Sequence, residues 1–254
     1  MTYKELHQDF VLNSRSRWRQ LVQELPDDDP ARLRLGFGEI AFSIIDMAEP
    51  ITAETLSVAL SNRPRGWHTF STEDWYYPNS DREEIERWRG DPERFPVGRM
   101  IAKGDYGRIQ LSGNVYRRIG YQERWQFHDP GTVFDLTTPI CDVGCMLLYA
   151  ADIADWCGEN HDIFFSFNYS GLRGRRLDMS RGWFDHTAIF KSEAEAFCGP
   201  MEPLSARIIR LELRRVLLDL LSPLFKEFSG FLLKPSLIDH YVRQEILGNY
   251  PDGR

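Results

Sequence analysis

Cysteine is scarce, four in 254 residues, and the chain opens Met1-Thr2-Tyr3-Lys4-Glu5, without the basic stretch and apolar run of a secretory leader. So few cysteines exclude a disulfide scaffold, and with no export signal ahead of them they read as reduced thiols of a cytoplasmic protein. Long hydrophobic runs are missing as well. The longest apolar-rich stretch, 208–224, is broken by Arg210, Glu212, Arg214, Arg215 and Asp219, which predicts an amphipathic helix and no membrane span. Positive charge is in deficit: Lys plus Arg number 31 and Asp plus Glu 38, a net charge of −7. Such a surface repels nucleic acid on average and leaves only a local basic patch to bind it. The sequence also contains no G-x-x-x-x-G-K-[ST] phosphate loop, no G-x-S-x-G nucleophile turn and no H-E-x-x-H pair.

What is present suits a globular fold: 42% hydrophobic, 13% aromatic and 27% charged residues exclude general disorder, and the length fits one large domain or a domain with an appendage. Residues 4–25 predict a helix through Leu6, Phe10, Trp18, Leu21 and Leu25, with Ser14 interrupting the stripe. Pro26-Asp27-Asp28-Asp29-Pro30 stops it and is the most linker-like segment of the chain. The expected organisation is therefore a helix at 1–25, a linker at 26–31 and a single domain at 32–254. Such a helix either packs on the following domain or is offered to a partner, and packing is the simpler expectation.

Residues 32–46 read as extended, with Leu33, Leu35 and Phe37 on one face and Ile40, Phe42 and Ile44 of opposite parity. That parity switch demands a bulge or tight turn near Gly36-Phe37-Gly38. A short helix is expected at 52–60 behind Thr52, and strands and loops without firm period at 64–107. Residues 107–111 and 115–127 predict a hairpin turning at Gly113-Asn114, its second arm having one wet side. Thr138, as cap, and Pro139 open a helix with the stripe Ile140, Val143, Leu147, Ala150, Ala154 and Cys157, closed by Gly158. Ile163, Phe165, Phe167 and Tyr169 alternate as a strand, and a further strand is expected at 183–190. Helices follow from beyond Pro203, where Ser222-Pro223 either kinks one helix or starts another, and at 236–247 with Gly248 ending it. These elements predict an α+β fold: a mixed or mainly antiparallel sheet packed against a central helix and the C-terminal helices.

Chemistry is hard to find. Cys141, Cys145, Cys157 and His161 have zinc-like spacing, but on one helix the two pairs stand about 18 Å apart, too far for one ion, so buried thiols are expected. Asp152 and Asp155 read as a solvated helix face, and His128-Asp129 as turn chemistry. No catalytic residue, metal ligand or cofactor is expected, and an enzyme with a site assembled in the aromatic segment 64–127 is the minority reading. The one local charge feature is Gly171-Leu172-Arg173-Gly174-Arg175-Arg176 with Arg181 beyond it. Its arginine forks and glycines suit an anion or nucleic acid, giving Arg173, Arg175, Arg176 and Arg181 as candidate binding residues, against a solvated loop paired with acids elsewhere.

The stretch Pro130-Gly131-Thr132-Val133-Phe134-Asp135-Leu136-Thr137-Thr138-Pro139-Ile140, with Val143-Gly144, with 170–177 downstream and with Ser222-Pro223-Leu224-Phe225, resembles the C-terminal region of bacterial Schlafen/Alba-like DNA-binding transcriptional regulators. The Alba-like domain precedes that region in those proteins and has no counterpart here, so the resemblance implies an accessory or sensing module whose effector half is supplied elsewhere. The expectation for function is a non-enzymatic bacterial binding or regulatory module. It acts through a protein partner or a second copy, in a regulatory or antiphage defence assembly. A nucleic-acid-binding accessory is the alternative.

Overall fold

The computed structural model describes residues 1–47, 49–52, 77–79, 84–88, 105–121, 129–158, 161–178 and 189–247. The helix expected at 52–60, the strand at 183–190, most of the aromatic segment, His128, Arg181 and Gly248 lie wholly or mainly outside them.

The architecture is α+β. Strands β1 (Phe37–Ile44), β2 (Tyr77–Asn79), β3 (Glu84–Trp88), β4 (Tyr106–Gln110), β5 (Asn114–Gly120), β7 (Asp162–Ser170) and β10 (Glu202–Ser205) form an antiparallel sheet. Its order is β10-β7-β1-β5-β4-β3-β2, with β9 (Ala196–Cys198) also pairing β7. Two short strands, β6 (Val133–Asp135) and β8 (Arg176–Asp178), pair in parallel beside it. One face carries Ile40, Phe42 and Ile44 of β1, Val115 of β5 and Ile163, Phe165 and Phe167 of β7, all buried. Against it pack α2 (Thr137–Trp156), α3 (Ala206–Lys226) and α4 (Pro235–Tyr241), the last continued by a π-type turn over Val242–Leu247. The opposite face is covered by α1 (Tyr3–Val22). Among the described residues no helix is long and apolar enough to cross a membrane.

Local chemistry explains the element boundaries. A capping box holds the start of α1: Glu5 N donates to Thr2 Oγ1 at 3.3 Å and Thr2 N to Glu5 Oε2 at 2.6 Å. The parity switch expected near Gly36 is a turn rather than a bulge inside a strand. Leu33 sits in the left-handed region (φ 53), Gly36 has φ 131, Gly36 N donates to Leu33 O at 3.1 Å, and β1 begins only at Phe37. The β4–β5 hairpin turns through 111–113 with Gly113 at φ 79, a three-residue loop closed by a left-handed glycine. In its second arm Tyr116 and Arg118 are buried under α1 while Val115, Arg117 and Ile119 face the other layer; Gln122, Arg124 and Gln126, expected on a wet side, lie outside the described residues.

Thr138 does not cap α2. Its cap position is Leu136, with no side-chain bond, and Asp135 Oδ1 instead accepts from Thr137 N at 2.8 Å. In α3 the helix passes through Pro223, and the non-helical residue is Glu212 (φ −132). Pro223 and Asp219 are both exposed, so the carbonyl of Asp219 that loses its donor faces water and the usual proline penalty is softened.

Gly38 is a strand residue with a packing reason. A Cβ there would stand 2.8 Å from Tyr169 Cε1, and Tyr169 is fully buried. Gly38→Ala is therefore expected to destabilise the fold by about 1–2 kcal/mol, since overpacking outweighs the gain in strand propensity. Urea unfolding of the two proteins measures it.

Candidate functional site

The face of the sheet under α1 is polar. Alternate residues of four strands, Glu39 and Ser43 of β1, Arg118 of β5, Arg108 of β4, and Glu84 and Glu86 of β3, point at the helix, and all but Arg108 are buried outright. Each finds a partner. Glu39 Oε1 accepts from Arg15 Nε at 2.8 Å, and its Oε2 from Tyr116 OH at 2.7 Å and Arg118 Nη2 at 2.9 Å. Glu86 accepts from Arg17 Nε at 3.0 Å and from Tyr106 OH at 2.9 Å. Glu84 takes Arg108 Nε at 2.8 Å, and Arg108 Nη1 reaches Ser14 Oγ at 3.3 Å. The Arg118 guanidinium lies between the rings of Phe37 (3.9 Å) and Trp18 (4.2 Å). Burial pushes the Glu86 carboxyl up, but the bonds from Arg17 and Tyr106 outweigh it and hold it below the usual range; burial, then the charge of Glu86, raises Tyr106.

The N-terminal half of α1 is held differently. His7 is fully buried, with Nδ1 2.8 Å from Ser43 Oγ and Nε2 2.8 Å from Ser166 Oγ, and its ring stacks on Phe164 at 6.3 Å. Burial lowers its pKa to about 4. Beside it, between α1 and the ends of β1, β4 and β5, opens a cleft of about 510 Å³. Phe10, Ile44, Met47 and Phe164 supply apolar wall, and Asp9, Asn13, Gln110 and Asn114 supply polar groups. Tyr3 OH donates to Asp46 Oδ1 across its mouth, Asp46 being in the left-handed region (φ 57). Tyr3 and Leu6 are 45% and 49% exposed at the rim. Leu6 was expected in the packed stripe of the helix; the stripe that packs is His7, Phe10, Val11, Ser14, Trp18 and Val22.

Ser43 lines the cleft and touches His7, which invites a nucleophile–base reading. A base with a pKa near 4 holds a proton too weakly to activate a hydroxyl at neutral pH, where catalysis favours a pKa near the working pH. The contact thus reads as an anchor.

The arginines of the 171–176 loop separate. Arg175 is fully buried, and its guanidinium donates to Gly171 O at 2.7 Å, Val133 O at 2.6 Å and Leu35 O at 2.6 Å while lying 4.7 Å over Tyr121. It holds the loop to the turn before β1 and faces no solvent. Arg173 is 68% exposed and lies 3.6 Å from Glu195, Arg176 is an exposed residue of β8, and Arg181 lies outside the described residues. Cys141 and Cys145 stand in the first half of α2; Cys157 Sγ lies 3.2 Å from Met47 Sδ, and His161 Nδ1 is 2.8 Å from Ile45 O. Asp152 and Asp155 both pair with Arg210 of α3, at 2.6 and 2.5 Å, so they clasp two helices rather than form a free solvated face. Among the described residues no group of three or more His, Cys, Asp or Glu is arranged to hold a metal.

The signals for this site were in the sequence but ambiguous: charges of period two at Glu84 and Glu86, and a histidine and a serine on the inner stripe of α1. Comparison with known proteins adds nothing to the geometry, since no family model, no curated protein and no solved structure matches the chain.

Two outcomes follow. Glu39→Ala strands Arg118 and part of Arg15 without a counter-charge and is expected to destabilise the protein by about 3 kcal/mol, whereas Arg210→Ala, at a half-exposed pair, costs about 1 kcal/mol or less; chemical denaturation compares them. His7 is neutral in the folded chain down to about pH 4, whereas in the unfolded chain it takes a proton near pH 6.5. Its contribution is thus whole above pH 6.5 and declines as pH falls toward 4. Unfolding measured from pH 7.5 to 5 is expected to lose about 2 kcal/mol through this group, and His7→Gln removes that part of the slope.

Proposed function

We propose that the chain is a binding module that docks a partner protein in the cleft at the N-terminal end of α1, and that it serves a bacterial regulatory or defence assembly. The observation that carries this reading is an open cleft with an exposed apolar rim beside a helix fastened by buried charges. Its volume lies in the range of ligand-binding clefts, and mixed apolar walls with a few convergent polar groups suit an inserted side chain. The carboxylates Asp9 and Asp46 flank it, and the one cation among the described residues of its wall, Arg108, is already neutralised by Glu84 at close range. The complementary occupant is therefore an apolar segment of a partner that presents a lysine or arginine. The resemblance to an accessory or sensing module agrees with this reading. Binding is favoured over hydrolysis because His7, the base beside Ser43, is tuned far below neutrality.

A photo-crosslinking residue placed at position 6 tests it in the cell that makes the protein. One defined adduct is expected, and it should disappear on Asp9→Lys and persist on Leu232→Glu, a change at an exposed leucine (69%) distant in sequence. An adduct indifferent to Asp9→Lys, or none, defeats the docking proposal; an adduct between two copies assigns the cleft to self-association. A fluorophosphonate probe is expected to leave Ser43 unmodified, and stoichiometric labelling there would instead favour an enzyme.

A further inference from the structure

The opposite half of α1 borders a second concavity of different chemistry. Residues of its last turns and the segment from Arg32 to Arg34 enclose a shallow groove of about 520 Å³. Three arginines line it, Arg19 from the helix and Arg32 and Arg34 from the turn, in a chain whose net charge is −7. Arg19 is exposed and pairs with no carboxylate of the described residues. Arg32 is partly committed: Nε donates to Pro26 O at 2.9 Å and Nη2 to Gln23 O at 3.0 Å, at the carbonyl end of α1. Those bonds offset the negative end of the helix dipole, which would otherwise repel an anion here. Its Nη1 remains for the groove.

The acidic linker already places an anion beside two of these arginines. Arg34 Nη2 lies 2.8 Å from Asp27 Oδ1, and Arg32 Nη1 lies 4.0 Å from the same oxygen. The Asp27 side chain is 83% exposed and that of Arg34 60%. Ion pairs this exposed are weak and readily exchanged, so a ligand with more charge and more acceptor oxygens displaces one carboxylate. Below them, Trp18 Nε1 is a buried donor with no hydrogen-bond partner among the described residues.

We propose that this groove binds a compact phosphate-bearing anion of the diphosphate class, and that Asp27 occupies the site in the free chain. Guanidinium forks match phosphate oxygens two at a time. The small extent of the three-arginine cluster and the acidic remainder of the surface favour a short polyanion over a long one.

Isothermal titration of the full chain with inorganic pyrophosphate at low ionic strength tests this. Saturable binding that weakens as salt rises is expected. Arg19→Gln and Arg34→Gln should each weaken it by about tenfold, the scale of one charge-assisted bond. Asp27→Asn should tighten it by about threefold, the scale of an exposed ion pair. All three side chains are exposed, so thermal unfolding of the variants should match that of the parent. No heat at low salt, or arginine variants that bind like the parent, overturns the site. Unchanged affinity in Asp27→Asn overturns the occupancy by Asp27. A single-stranded oligonucleotide that binds through these arginines where pyrophosphate does not overturns the compact-anion assignment.

Discussion

Glu39 is the residue on which the α1 layer depends. It lies on an interior strand of the sheet, is 3% exposed, and shares its two oxygens among Arg15, Arg118 and Tyr116. A carboxylate so placed is tolerable only when its partners are in position, and one of them, Arg15, comes from α1. Arg17 makes the same demand of Glu86 on β3, the third strand along the sheet from β1. Two bonds from residues two apart on the helix, to acids on different strands, leave α1 neither a rotation nor a slide that keeps both. Buried ion pairs of this kind are poor evidence of net stability, since well-packed apolar residues do as well. Their physical contribution here is register: they select one position of the helix on the sheet.

That choice is also why the sequence was legible on one side of the sheet and not on the other. Where packing is apolar, periodicity located it: Ile163 to Tyr169 alternate as read, the stripe of α2 is buried, and Ile209, Leu213, Val216, Leu217, Leu220 and Leu221 form the inner face of α3. On the α1 side the inner positions are His7, Ser14, Tyr116, Arg118 and Glu86, which hydrophobic patterning assigns to water. Spacing locates the helix but places Leu6 on its inner face, where His7 packs instead. Charge density misleads in the same way at Arg175, because composition shows that arginines cluster but not that one turns inward to three carbonyls. Asp152 and Asp155 are clasped by Arg210, a partner too remote in sequence to be seen. Two helix starts are marked by local signals in the sequence: Thr2-x-x-Glu5, a capping box, and Asp135 two residues before α2.

The two halves of α1 are fastened by different physics. Toward the C-terminus the helix is held by charge, through Arg15, Arg17 and the Arg118 guanidinium stacked under Trp18. Toward the N-terminus it is held by neutral contacts, His7 between two serine hydroxyls and Phe10 against the sheet. His7 and Phe10 keep that end against the sheet, and the cleft opens beside them, lined by α1 and by the ends of β1, β4 and β5. The burial that makes His7 an anchor also removes it as a base, which argues for recognition in the cleft.

A cleft at one end of a helix and a groove at the other suggest communication, and the lattice between them argues the reverse. Coupling between two sites needs an element with two arrangements, each favoured by a different ligand. For α1 to be that element it would have to shift on the sheet, and a shift that parts Arg15 from Glu39 and Arg17 from Glu86 leaves Glu39 with Arg118 and Tyr116 but leaves buried Glu86 with only the neutral Tyr106 among its hydrogen-bond donors, which opposes the move. Side chains at the cleft rim and the exposed arginines of the groove can move without disturbing these pairs, so each end can take a ligand while the helix stays where it is. Both surfaces are read best as independent contacts displayed on one rigid support.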